Sequence, residues 1–162
     1  MSESSPSEKS SRSLPVIGWR EWVSLEQFGI PTIKAKVDSG ARSSSLHVFE
    51  LDEFEREGQK WARFKVHPIQ KNSEVEVEVE APILEHRSVR SSSGKAQVRP
   101  VVQTTISMMG QSWPIEITLA SRDKMKFRML LGRQAFRGRF LLDAGVSFCG
   151  GRPQRKSRKK KA

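Results

Sequence analysis

The chain has 162 residues, 36% of them hydrophobic, which suits one domain with a modest core. Its formal net charge is +11, and seven of the positive charges (Arg152, Arg155, Lys156, Arg158, Lys159, Lys160 and Lys161) fall in residues 152–162, so the body is only mildly basic. The single cysteine, Cys149, excludes an intrachain disulfide, and with no secretory signal and no apolar run long enough to span a membrane, a soluble cytoplasmic protein is expected.

In chain order, residues 1–13 are rich in serine and read as a disordered leader, residues 14–151 as one β domain, and residues 152–162 as a disordered basic tail. A first strand is expected over 16–23 and a loop over 24–31. The alternating run Ile33-Lys34-Ala35-Lys36-Val37 then stops abruptly at Asp38-Ser39-Gly40-Ala41, which places an acid at a strand tip on a tight turn. The Ser39 hydroxyl can brace that turn. The chain should re-enter a strand across 42–48. Residues 60–66 and 74–80 alternate with period two, the second with one valine face and one glutamate face, and a turn over 67–73 joins them. Pro82 interrupts, and 83–89 continue in extended form. Ser91-Ser92-Ser93-Gly94 makes a small hairpin tip, and 97–107 and 111–119 pair through Met109-Gly110. An apolar strand ends in Leu130-Leu131-Gly132-Arg133, a short helical turn follows near 133–138, and a last strand runs over 140–143. Many short strands with one short helix predict an all-β barrel or sandwich.

Three stretches, Lys34 to His47, Arg87 to Gly94 and Met129 to Arg133, stand in the order found in retropepsin-like aspartic peptidases. The chain resembles in particular their RimB-like branch, also labelled "ATP-dependent zinc protease", whose genes tend to accompany ATP-grasp glutamate ligases of the RimK kind. The resemblance covers roughly residues 16–151. It implies a closed or partly open retropepsin barrel and an aspartic endopeptidase. Asp38 takes the place of the catalytic carboxylate, and Ser39 that of the usual threonine. Gly40 and Ala41 complete the loop, Leu130, Leu131 and Gly132 should pack beneath it, and Ser91, Ser92, Ser93 and Gly94 take the place of the flap tip. Arg42 departs from the viral pattern, which has an acid there to pair with the arginine matching Arg133. Arg133 must therefore find another acid, and the more basic pocket suits an acidic, glutamate-rich substrate.

Aspartic peptidases need two carboxylates sharing a proton. One Asp-Ser-Gly per chain therefore implies a homodimer with Asp38 from each copy. Asp143, in Asp143-Ala144-Gly145, is the intrachain rival and reads as a turn acid. His47, His67 and His86 are scattered, with no zinc spacing, and no Walker loop is present, so zinc and ATP are suggested only by the family label. His47 lies closest to the Asp38 turn, and Cys149 has no neighbouring base. The tail carries two readings of equal weight, binding RNA or another polyanion by counterion release, or aiding solubility as a solvated run. The alternative to catalysis is a dimeric peptide- or RNA-binding module on the same fold.

Overall fold

Residues 14–69, 75–90, 94–121 and 127–152 are described by the structure, a computed structural model. The leader over 1–13, the flap-tip serines Ser91, Ser92 and Ser93, and the tail cations beyond Arg152 lie outside them. Among the described residues the fold is all-β with one short helix, as expected.

The first predicted strand is two strands, β1 (Val16–Gly18) and β2 (Arg20–Leu25). They part at Trp19 because its N–H donates to Val146 and its carbonyl accepts the N–H of Val37, which removes Trp19 from any one ladder. The predicted loop over 24–31 is mostly ordered, with a 3-10 turn at Glu26–Phe28 capped by Gly29 at φ 74°, leading into β3 (Ile30–Asp38). Next come β4 (Ser44–His47), β5 (Phe49–Arg56), β6 (Gln59–Val66), β7 (Val77–Pro82) and β8 (Glu85–Arg90). The sequence reading omits β5. Charges at five of its eight positions hide a strand that needs only one neighbour, since β5 pairs with β6 alone. Pro82 closes β7 rather than interrupting it, which an edge strand tolerates because its outer N–H positions need no partner. The chain ends with β9 (Ala96–Met108), β10 (Gln111–Ala120), β11 (Met129–Gly132), helix α1 (Arg133–Phe136) and β12 (Leu141–Asp143).

Six strands close a ring in the order β10-β4-β11-β3-β2-β9, and β9 returns to pair with β10. Strand β8 extends from β9, strands β5-β6-β7 form a second sheet, and β1 pairs with β12 in parallel. The barrel interior is filled by the inward positions of the alternating strands. Val23, Leu25, Ile33, Ala35, Leu46, Ile106, Ile117, Met129 and Leu131 are all essentially inaccessible. The apolar area they remove from water, at about 25 cal/mol per Å², is the main force holding the ring closed. It also fixes register, because a one-residue slip would turn each inward row to solvent. Strand β3 is thereby held so that its last residue, Asp38, emerges at the barrel's end.

Candidate functional site

Asp38 ends β3 and folds its own turn. Its Oδ1 accepts the N–H of Gly40 at 2.9 Å, and its carbonyl accepts the N–H of Ala41 at 3.2 Å. A Cβ on Gly40 would lie 3.2 Å from that Oδ1, so glycine is favoured here by the carboxylate's approach. The parallel partner is β11, with Leu131 opposite Val37 and Gly132 opposite Asp38. The chain beyond the turn then crosses directly over Gly132. A Cβ there would meet the Ser43 carbonyl carbon and oxygen at 2.5 Å. The crossing is pinned by Gly132 N–H donating to Ser44 Oγ (3.0 Å), Arg133 N–H to the Ala41 carbonyl (2.8 Å) and Gln134 N–H to the Arg42 carbonyl (3.2 Å). Ser39 enters through its backbone: its carbonyl accepts from Arg133 Nη1 at 3.2 Å. Arg133 thus binds a carbonyl, and among the described residues no acid pairs with it. Arg42 is exposed beside the turn, and of the expected flap tip Gly94 alone is among the described residues.

A groove of about 330 Å³ opens beside this crossing. Its walls include Ser43, Ser44, Trp113, Gln134 and the three arginines Arg87, Arg137 and Arg139. Glu116 is the one carboxylate in the wall, and it binds Arg87 at 2.9 Å. Glu116 and then Glu85 hold the Arg87 guanidinium above the ordinary arginine pKa, so it stays charged. Arg139 lies over the Trp113 ring at 4.4 Å and donates to Gln111. Trp113 is fixed in turn by its indole N–H donating to the Ala135 carbonyl at 3.0 Å. Sequence reasoning missed Trp113, Arg137 and Arg139, because they converge only when β10 and α1 pack. Arg87 stood at the start of the flap-like stretch and was the one visible signal.

The other candidates are dispersed. His47 is buried on β4, with its Nδ1 3.3 Å from Arg128 Nη1. His67 stacks on Phe49 with centroids 4.1 Å apart, and His86 Nε2 lies 3.1 Å from Glu53. No group of three metal-ligating side chains occurs among the described residues. Cys149 is exposed, and partial desolvation followed by the Glu21 carboxylate push its thiol pKa up, away from a nucleophilic thiolate. Asp143 makes its own turn, accepting Gly145 N–H at 2.9 Å, on the parallel β1–β12 pair. Among the described residues no helix is long and apolar enough to cross a membrane.

Comparison with known proteins changes the function expected of this site. A relative from Shewanella pealeana, 42% identical over 136 residues, and one from Parasynechococcus marenigrum, 48% identical over 128 residues, are each named probable alpha-L-glutamate ligase. A relative from Desulfotalea psychrophila, 39% identical over 142 residues, bears the same name. The alignments cover 79–88% of this chain but only 28–31% of those relatives, so the chain spans about a third of the length of the curated relatives it matches. A solved Legionella pneumophila protein of unknown function shares the fold at TM-score 0.68 and 26% identity, over 84% of this chain and 98% of that one. The ligase name overturns the expectation of an enzyme that cleaves peptide bonds, and equally the alternative of a module with no catalytic part. Asp38 keeps its place at the end of β3, where the Asp-Ser-Gly motif put it. A family model described as "Retropepsin-like aspartic endopeptidase RimB" matches residues 16–153, and the chain belongs to this RimB-like family.

Proposed function

We propose that this chain takes part in enzymatic α-L-glutamate ligation as the domain that holds the glutamyl carboxylates. The observation that carries this reading is the groove beside the Asp38 crossing, where Arg87, Arg137 and Arg139 face one wall carboxylate, Glu116. A planar guanidinium binds a carboxylate through two parallel N–H donors, and such charge-assisted bonds are stronger than neutral ones. Arg87 is already held by Glu85 and Glu116, so Arg137 and Arg139, neither in an ion pair among the described residues, are the two that suit a ligand bearing a carboxylate on every residue. The apolar wall of Trp113 suits the methylene stem of a glutamate side chain. Arg42 and Arg133, flanking the turn, extend the positive potential along the entrance. Joining a carboxylate to an amine in water runs uphill and requires activation of the carboxyl group. In this reading, activation belongs to the portion of the ligase relatives that the chain does not match.

The test is titration of the full chain with oligo-α-glutamate, followed by calorimetry, beside Arg137→Gln and Arg139→Gln. Each variant should weaken binding about tenfold, the loss of one charge-assisted contact. Oligo-aspartate, one methylene shorter per side chain, should bind less well. Absence of binding, or binding indifferent to both substitutions, would refute the proposal.

A further inference from the structure

The groove does not account for a second cationic surface, on the outer face of β2 and β3. The antiparallel register there sets Trp22 beside Lys34 and Arg20 beside Lys36. Phe148 stacks on Trp22 with centroids 5.9 Å apart and planes at 23°. Lys34 Nζ stands 5.4 Å and the Arg152 guanidinium 4.4 Å from the Trp22 centroid. Arg20 lies 4.6 Å from the Trp19 ring and 4.9 Å from that of Phe148. Among the described residues, none of Arg20, Lys34, Lys36 and Arg152 is in an ion pair.

The only acid on β2 cannot neutralise them. Glu21 points inward, is 1% exposed, and accepts backbone N–H bonds from Gly18 (2.7 Å), Cys149 (2.8 Å) and Gly150 (3.1 Å). It clamps the C-terminal segment so that Phe148 and Arg152 reach Trp22. Phe148 adopts φ 55°, a conformation a bulky residue rarely takes, and its N–H donates to the Arg20 carbonyl at 2.9 Å. The β5–β6–β7 sheet supplies a contrast. There Arg56 lies over Trp61 at a similar 4.4 Å, but Arg56 and Arg63 both bind Glu80, and Lys65 binds Glu50. Aromatic–cation stacking is neutralised on that sheet and left positive on β2–β3.

We propose that the β2–β3 face binds single-stranded RNA. Lys34, Lys36 and Arg20 take phosphates, and a base stacks on the Trp22–Phe148 pair, displacing Arg152 onto the backbone. Arg152 is followed in sequence by Arg155, Lys156, Arg158, Lys159, Lys160 and Lys161 with no acid among them. An acidic peptide would satisfy the cations but gives the indole no flat partner.

Fluorescence anisotropy of labelled 12-nucleotide oligo-A, with the full chain at several salt concentrations, tests this. Lys34→Gln with Lys36→Gln should weaken binding about tenfold at 0.1 M salt and lower the slope of log K against log[salt] by about 1.4. Trp22→Leu should weaken binding several-fold with the slope unchanged, because it removes stacking and no charge. Thermal melts should show both variants folded, and the double lysine variant, whose changes lie on the surface, reports even if Trp22→Leu is unstable. The proposal is overturned if the lysine variant leaves affinity and slope unchanged, which would leave any binding to the tail. It is also overturned if oligo-glutamate competes for this surface as well as unlabelled RNA does. Loss of glutamate binding in the Arg137 and Arg139 variants with RNA binding intact would separate the two sites.

Discussion

Gly132 stands opposite Asp38 in the parallel β3–β11 pairing, and Gly18 stands opposite Asp143 in the parallel β1–β12 pairing. In both places an aspartate Oδ1 accepts the N–H two residues on at 2.9 Å, and the segment that follows crosses over the glycine. A Cβ would lie 2.5 Å from the Ser43 carbonyl at Gly132 and 2.2 Å from the Val146 carbonyl oxygen at Gly18. The obstacle is backbone in each case, so it cannot rotate away. Gly132→Ala and Gly18→Ala should each cost on the order of 3 kcal/mol or more. Gly40→Ala meets only a carboxylate oxygen at 3.2 Å and should cost far less. Chemical denaturation of the three variants checks the ranking, and equal losses would show that the crossings are not tight.

Glu21 gives a second prediction. Its carboxylate accepts three backbone N–H groups and joins β2 to the segment around Cys149. Glutamine keeps one oxygen but turns an NH2 toward a donor, leaving at least one of the three N–H groups without its acceptor. Glu21→Gln should lose about 2–3 kcal/mol. Proteolysis should then begin in residues 143–151 while the barrel strands remain protected. Uniform exposure of the whole chain would contradict the local clamp.

Glu80 supplies a pH dependence. Hydrogen bonds from Arg56 and then Arg63 hold its carboxyl below the usual carboxylate range. A carboxyl depressed in the folded state contributes stability above its ordinary value of 4.5, and the contribution disappears as pH falls through the lowered one. All three side chains are substantially exposed, so the effect is small and screened by salt. Glu80→Gln should lower Tm slightly at neutral pH and low salt. The gap to wild type should close in acid and in 1 M salt. A gap that persists in acid would show that Glu80 acts through packing instead.

The sequence made the fold legible because its inward rows alternate cleanly, as in residues 33–37 of the barrel and 60–66 of the second sheet, and because Asp38 and Gly132 sit at strand ends. Strand β5 was not legible, since its charges mask the period of an edge strand. Glu21 was partly legible. It shares a face with the buried Val23 and Leu25, so the alternation itself points an acid inward, yet its partners at Cys149 and Gly150 lie more than 120 residues away. The groove arginines were illegible for the same reason. Arg87, Arg137 and Arg139 come from β8 and the segment after α1, and no local pattern brings them together.

The last prediction separates the shape of the Asp38 turn from its charge. Asparagine retains an Oδ1 that can accept the Gly40 N–H, so Asp38→Asn should leave stability nearly unchanged. Alanine removes the acceptor, and Asp38→Ala should lose about 1 kcal/mol. Binding should behave differently. The carboxylate lies on the turn that Arg42 follows and Arg133 braces through the Ser39 carbonyl, beside the groove, and its negative charge opposes the approach of an anionic ligand. Removing its charge should tighten oligo-α-glutamate binding by about two- to fivefold, more at low salt than at high salt. Asp38→Ala should tighten it similarly, provided the turn persists. The measurement is calorimetric titration of wild type and both variants at two ionic strengths. If Asp38→Asn instead weakens binding while the fold is intact, the Asp38 carboxyl contacts the ligand directly, and recognition by the arginines alone is the wrong account of the groove.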